Sequence, residues 1–436
     1  MVSGSGIRKA DVGITGERIA SIEPEIPLQE ARCGIDAAGK YVMPGVIDVH
    51  VHPIYEDDIS RASLTAAYGG TTTLIHFAYA RPGIRIVDTI ERFQEEGRRL
   101  SYLDFGVHAG ILDPASQIEE IPKAFDLGVS SFKIFMTYAK LNLMADDYQL
   151  AAAMDMIGGC GGLAMVHAEN GLVGDYLEDR SLKKGEDPRE VFLKIRPDYL
   201  EAEAIFRAIC ISTVTECPLY VVHVSTAKGV ELIRKAKEEG RKVYAETCPQ
   251  YLTLTDSTLQ KMGPLAKIGP PLRTEMDRLA LWEAIQKEVI DVVASDHAPK
   301  NKKADDPFFE APYGSPQAET MVTLTYDEGV NPGKIGPCRV VQLLSENPAK
   351  IFGLYPRKGT IQEGADADLI IFDPNRVFTI RGESQHSKAS YTLYEGRTCL
   401  GRPVLTMQRG RTLIEEGVMK GEPGKAYFLP RKITSS

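Results

Sequence analysis

Tyr41-Val42-Met43-Pro44-Gly45-Val46-Ile47-Asp48-Val49-His50-Val51-His52 is the stretch whose reading decides the fold. An apolar run rich in valine and isoleucine reads as a buried strand, and this one ends by delivering two histidines two residues apart. Side chains on a strand alternate faces, so His50 and His52 are expected to project together. Two imidazoles side by side form half of a divalent-metal site, because zinc and its neighbours accept nitrogen ligands in that geometry. Such a pair also arises by chance in long chains, so it decides nothing alone.

The other histidines add weight. Of the eight in the chain, His167 ends Leu163-Ala164-Met165-Val166 and His223 ends Leu219-Tyr220-Val221-Val222. A further run, Val289-Ile290-Asp291-Val292-Val293-Ala294, ends in Ser295-Asp296-His297. Strand ends that repeatedly deliver His or Asp point to a parallel sheet with its chemistry at the carboxyl edge. Eight short apolar runs fall near 41–50, 71–77, 103–109, 129–135, 163–167, 218–223, 242–246 and 290–295. Amphipathic segments such as Ile86–Leu100 and Gly229–Gly240 separate them and read as helices. An open doubly wound sheet would not bring the ends of strands one, four, five, six and eight to one point. The expected fold is therefore α/β, a TIM-like (β/α)8 barrel.

Outside that core the pattern changes to hairpin-like alternation, in residues 8–40 and again in 359–418. Each stretch is too short to bury a core alone, so the two ends are expected to build one small β-sandwich domain. The implied division is 1–43 and 351–436 for the sandwich and 44–350 for the barrel. The tail from Gly421 onward is expected either to wrap a neighbouring subunit or to hang free.

Composition bounds the function classes. Apolar residues at 43% and charged residues at 25% are ordinary for a soluble globular protein. A net charge of −9 argues against a nucleic-acid face or an anionic-membrane surface. No apolar run has the length of a membrane span, and Met1–Gly6 lacks a signal-peptide core, so a cytoplasmic location is expected. Seven cysteines without a CxxC pair fit buried thiols in a reducing compartment.

A metal pair also needs a shared anion, and no acid ends the fourth strand. Lys133 does, within Val129-Ser130-Ser131-Phe132-Lys133-Ile134-Phe135-Met136. Burial lowers a lysine toward a neutral, nucleophilic amine, which can take up carbon dioxide as an anionic carbamate that bridges two cations. A lysine snorkelling to the barrel mouth is the alternative.

The ordered set His50, His52, Lys133, His167, His223, Asp296 resembles that of the cyclic amidohydrolases: dihydropyrimidinases, hydantoinases and their relatives. The resemblance runs over nearly the whole chain. It includes Gly69-Gly70-Thr71-Thr72-Thr73, Phe132-Lys133-Ile134-Phe135-Met136-Thr137-Tyr138, Val166-His167-Ala168-Glu169-Asn170, Ser295-Asp296-His297-Ala298-Pro299 and Asn347-Pro348-Ala349-Lys350-Ile351-Phe352-Gly353. It implies two divalent metals, zinc with manganese or cobalt as alternatives. His50, His52 and Asp296 would hold one, His167 and His223 the other, and carbamylated Lys133 would bridge them. It further implies a bridging hydroxide as nucleophile and Asp296 as base and then acid. Tyr138 would donate to the oxyanion, and the substrate would be a cyclic ureide or imide. The assembly would be a homo-oligomer, a tetramer or a dimer.

The match departs in places that concern substrate. Dihydroorotases carry an arginine two residues after the histidine pair, where this chain has Pro53 and Ile54; allantoinases tend toward the same loop. The lid Pro53–Asp58 is shorter than is typical of dihydropyrimidinases. Gly269 stands where hydantoinases have a serine, and Cys338 aligns with an asparagine that reads the imide edge; both are expected to line the substrate site. The chain starts only a few residues before Ala10-Asp11-Val12, so the family's first edge strand is expected to be missing. His76, His108, His297 and His386 match no ligand position and are expected to be structural. A non-catalytic scaffold of the collapsin response mediator type would lack the ligands. A mononuclear deaminase would lack Lys133 and need a glutamate where Asn170 stands.

Overall fold

The computed structural model describes residues 1–27, 29 and 31–433. The chain opens with two hairpins, β1 (Val2–Ser3) with β2 (Gly6–Ile7) and β3 (Asp11–Thr15) with β4 (Arg18–Glu23). The first hairpin occupies the position expected to be missing, with Val2 buried in one cluster with Met43 and Val46. The apolar run that follows is not one strand. It breaks at Gly45 into β5 (Tyr41–Pro44) and β6 (Val46–Val51), which belong to different sheets. The Gly45 N–H donates to the Asp368 carbonyl at 2.8 Å. A side chain there would collide with Thr72, so only glycine lets the backbone pass this closely.

From β6 the parallel sheet continues as β7 (Thr71–Ala80), β8 (Asp104–Ile111), β9 (Ser131–Phe135), β10 (Leu163–His167), β11 (Leu219–Val221), β12 (Val243–Thr247) and β13 (Val292–Val293). All eight expected runs are strands, and they neighbour one another in sequence order. The sheet curls until its edges meet, but no strand ladder closes it. β13 is two residues long, and the edges are joined by a single parallel bridge, Val51 with His297. Three residues past its end, Asp296 adopts φ of 51°, a left-handed conformation outside the strand region. At this seam His297 N–H donates to His50 O at 3.1 Å, and His52 N–H to His297 O at 2.9 Å. The Asp48 carboxylate accepts from Ser295 N–H at 3.1 Å and His50 N–H at 3.2 Å.

The sheet encloses Phe77, Met165, Tyr220 and Val222, with Phe352 and Leu429 in the same cluster. Helices cover its outside. Helix Ile86–Leu100 shows why: Asp88 lies in its first turn and Arg98 and Arg99 in its last, which suits the helix dipole. Its buried side, Ile86, Ile90 and Phe93, faces the sheet, and Gly97 leaves room for Phe105.

The second sheet is antiparallel, in the order β17-β16-β15-β14-β5, with β14 (Leu369–Thr379), β15 (Thr398–Gln408), β16 (Arg411–Glu415) and β17 (Val418–Met419). One apolar cluster joins Ile19, Val12 and Ile14 from the second hairpin to Leu369, Val404 and Leu405, so both ends of the chain share a core. The tail past Gly421 neither wraps outward nor hangs free: Phe105 N–H donates to Tyr427 O at 2.9 Å and Leu429 N–H to Phe105 O at 2.8 Å. No helix among the described residues is long and apolar enough to cross a membrane.

A buried ionic knot ties the sheets together. Lys358 Nζ lies 2.7 Å from Asp104, 2.6 Å from Asp368 and 3.0 Å from Asp366. Arg409 adds Asp104 at 3.1 Å and Glu17 at 2.6 Å. Removing the lysine leaves buried Asp368 with no ion-pair partner among the described residues, while Asp104 keeps Arg409 and Asp366 keeps Arg18 and Arg357. Lys358→Met is therefore expected to cost about 3–5 kcal/mol of folding stability, and an unchanged denaturation midpoint would show the knot to be energetically idle.

Candidate metal centre

The carboxyl edge of the parallel sheet opens into a cavity of about 1000 Å³. His50, His52, Lys133, His167, His223, Asp296, Tyr138 and Gly269 all line it. The strand β6 does not reach it by simple alternation. Its pairing register shifts between Asp48 and Val51, so Val49 packs in the enclosed cluster while Val51 packs with Ala62 of helix Ile59–Tyr68. His50 and His52 nonetheless converge, their ring centroids 5.1 Å apart.

His50, His52 and Asp296 each offer one ligand atom, all within 4.8 Å of one another. Asp296 Oδ1 lies 3.1 Å from His50 Nε2 and 3.2 Å from His52 Nε2. Beside them, His167 Nδ1 and His223 Nε2 point at each other at 3.1 Å. Two imidazole nitrogens turned face to face in this way suit a shared cation better than each other. Three of the residues that complete the edge, Tyr138, His223 and Asp296, have φ of 64°, 41° and 51°. Non-glycine residues rarely adopt that region, and strain of this kind collects where side chains must be aimed.

Electrostatics follow from burial. Burial lowers His52 to about 4 and drives His223 well below its ordinary value, keeping both imidazoles in the neutral form that binds metal. For His50 burial works the same way, but the Glu246 and Asp296 carboxylates on its two nitrogens outweigh it and raise it to about 9. Burial opposes the charge on Asp296 too, yet His50 and His52 hold its carboxyl well below the usual range. Lys133 has no carboxylate on it; its ammonium sits against Phe77 and Phe135, 5.3 and 5.4 Å from their centroids. Burial lowers it to about 7. The donor set, four imidazoles, one carboxylate and one readily neutralised amine, fits divalent cations.

Several contributors were not foreseen. Glu246, at the end of β12, accepts from His50 Nδ1 at 2.6 Å and from the Tyr220 hydroxyl at 2.9 Å. Glu169 lies 2.7 Å from His167 Nε2 and is itself held by Arg196 at 3.3 Å. Tyr79 meets His52 Nδ1 at 3.2 Å. Carboxylates behind metal-binding imidazoles fix their tautomer and orientation. Glu246 was findable, since it ends an apolar run as the ligands do; Arg196, between two helices of an excursion, gave no signal.

Cys338 requires correction. It begins the short helix Pro337–Val341, packs partly buried against the core and is absent from the cavity lining, because its backbone starts a helix rather than a loop at the sheet edge. The histidines set aside behave as expected. His297 pairs with Asp57 at 2.9 Å and accepts from the Gln317 and Ala318 N–H groups, shaping its loop. His108 bonds Ser131 and the Val49 carbonyl, and His386 stacks on Tyr68. His76 is fully buried away from the cavity.

Comparison with known proteins adds an independent line. The profile of the Amidohydrolase family matches residues 222–413. The D-hydantoinase of Ralstonia pickettii is 36% identical over 99% of this chain and 97% of its own. The L-hydantoinase of Paenarthrobacter aurescens is 34% identical over 99% and 96%. The crystal structure of dihydropyrimidinase from Brevibacillus agri superposes with a TM-score of 0.94 at 34% identity, covering 100% of this chain and 98% of that one.

Two outcomes are expected here. Glu246→Gln weakens metal binding about 10–100-fold, read by competition with a chelating dye. In the metal-free protein, burial lowers Lys133 to about 7 from its ordinary value of 10.5. The unfolded chain therefore holds more protons between those values, and stability rises with pH across the window. The penalty is complete below about pH 7, so metal-free Lys133→Met should melt higher than wild type there, with the gap shrinking toward pH 9.5. A gap independent of pH would refute a neutralised Lys133.

Proposed function

The chain belongs to the hydantoinase–dihydropyrimidinase family of amidohydrolases and hydrolyses a cyclic amide, and we propose that its substrate is a cyclic ureide or imide opened at a two-metal site. The observation that carries this reading is the convergence of His50, His52 and Asp296 beside the facing pair His167 and His223, with Lys133 unpaired between aromatic rings. His50, His52 and Asp296 would hold one cation and His167 and His223 the other, with Lys133 as a carbamate shared by both. Bound there, zinc, manganese or cobalt would supply Lewis acidity, acidifying a water and polarising the ring carbonyl.

The chain's own groups do the rest. Asp296, ionised because two imidazoles lie against it, accepts the proton of the attacking water and returns it to the leaving ring nitrogen. Tyr138 donates to the carbonyl oxygen as it gains charge. Burial pushes this phenol well above its ordinary value, which keeps it a donor throughout the working range. Gly269 gives the Tyr138 hydroxyl room: a side chain at that position would meet it at 2.6 Å. The backbone at Gly269 is thereby free to face the ring's imide edge. The two end segments, 1–43 and 351–436, act as a supporting β-domain around a barrel-like unit at 44–350, whose first and last strands meet only at the bridge between Val51 and His297. Exposed apolar side chains on helices Gly171–Lys184 and Asp198–Val214, among them Leu172, Tyr176 and Phe206, support homo-oligomeric assembly as a dimer or tetramer.

The test is ring opening by protein loaded with zinc or manganese in the presence of bicarbonate, across hydantoin, 5-substituted hydantoins, dihydrouracil and succinimide. Activity should vanish with a chelator and in Lys133→Ala. Tyr138→Phe should lower kcat about 10²–10³-fold and Asp296→Asn about 10²–10⁴-fold. Loss of metal binding in neither Lys133→Ala nor Asp296→Asn would contradict the ligand assignment.

A further inference from the structure

The cavity carries more positive charge than ring opening requires. Besides Lys133, its lining includes Arg81, Arg92, Lys267 and Lys300, against Asp296 and Glu310 as the only carboxylates. None of these four cations forms an ion pair among the described residues. By contrast, buried Lys358 is matched by three aspartates and Arg196 by Glu169, while Arg431 and Lys302 rest on backbone carbonyls alone. In a chain of net charge −9, so basic a wall is a local arrangement.

Two of the lysines line the same cavity as the proposed ligands and are linked to them through aromatic rings. Lys267 is only 2% exposed, and its Nζ donates to the Phe308 and Phe309 carbonyls, both at 2.9 Å, leaving one N–H free. It lies 4.6 Å from the centroid of Tyr313, which is 5.7 Å from Tyr138, which is 5.2 Å from His167. On the other flank Lys300 lies over the Tyr55 ring, whose centroid is 5.9 Å from that of His52. Lys302, just behind, spends its ammonium on the Leu265 and Lys267 carbonyls. Burying unmatched ammonium groups is costly, and burial lowers Lys267 and Lys300 to about 8. A cavity of about 1000 Å³ also far exceeds a five- or six-membered ring.

We propose that the substrate's ring substituent bears a carboxylate, received by Lys267 and Lys300, with Arg81 and Arg92 drawing it in from the rim. This rests on the cyclic-amide reading and narrows it. It also answers the missing arginine after the histidine pair: the counter-charge comes from Lys267 and from Lys300, which packs on Tyr55, rather than from a cation within the loop Pro53–Asp58 itself.

The test compares a matched pair on the metal-loaded full chain, 5-(2-carboxyethyl)hydantoin and the uncharged 5-propylhydantoin. The expected kcat/KM ratio favours the carboxylate at least about tenfold at low ionic strength, mainly through KM, and narrows as salt screens the lysines. Lys300→Met and Lys267→Met should each collapse the ratio several-fold, and Lys267→Arg should restore part of it. Since Lys267 also holds two loop carbonyls, Lys300→Met, whose ammonium holds none among the described residues, keeps the test decisive if Lys267→Met misfolds. Calorimetric titration of metal-free protein with the same pair should likewise favour the carboxylate. Equal kcat/KM for both substrates, or a ratio unmoved by either lysine substitution, overturns the anionic-substituent proposal and leaves the cyclic-amide reading standing. Selective, lysine-dependent binding of the carboxylate without ring opening would support the anion site and count against the ring chemistry instead.

Discussion

The seam between the first and last parallel strands is the constraint on which the site depends. His50 and His52 come from one edge of the curled sheet and Asp296 from the other, so they meet only if those edges are held in register. What holds them is small: the bridge at Val51 and His297, two backbone hydrogen bonds, and the Asp48 carboxylate shared by His50 and Ser295. The eighth strand contributes almost no ladder of its own. Asp48 is thus less a charge than a clasp, and its burial, which raises its pKa, is tolerated because two N–H groups point at it.

The concentration of titratable groups behind that seam is destabilising in itself. Four buried imidazoles and a buried lysine line one cavity with few opposing charges, and three backbone positions there sit in the left-handed region. The surrounding fold tolerates this because three of the imidazoles have a second partner behind them: Glu246 behind His50, Tyr79 behind His52, Glu169 and then Arg196 behind His167. The supports are carboxylates and phenols already ordered by the sheet, so orienting the imidazoles costs little further entropy.

Much of this is legible in the sequence. Each parallel strand is a short apolar run between helical segments, and the chemistry-bearing residues follow those runs, so strand count, order and the six candidate ligands can be read without coordinates. Other features cannot. The division of one apolar run at Gly45 is invisible, because strands buried in either sheet have the same composition. The register shift in β6 is equally hidden, since period-two alternation assumes an unbroken ladder. Closure is overestimated for a related reason: the mostly apolar run 290–295 yields only the two-residue strand Val292–Val293, and the chain turns left-handed at Asp296. Cys338 fails as a site residue because alignment by position does not reveal that the backbone there starts a helix. Of the supporting carboxylates, Glu246 is remote in sequence from His50, while Glu169 stands two residues from His167 in a position that period-two alternation alone does not distinguish from an ordinary loop acid.

The break at Gly45 carries a consequence for how such a chain can drift. On one side, Tyr41–Pro44 pairs residue by residue with Leu369–Phe372; five residues beyond Gly45 stands His50. The two histidines are therefore indexed to the outer sheet as well as to the parallel one. Substitutions along this segment can be absorbed singly, but a gain or loss of one residue would be read by both sheets at once, shifting the pairing on one side or the imidazoles on the other. Length here is inherited more strictly than identity, and lineages that remodel the pocket are channelled toward loops such as Pro53–Asp58, where additions leave that indexing untouched.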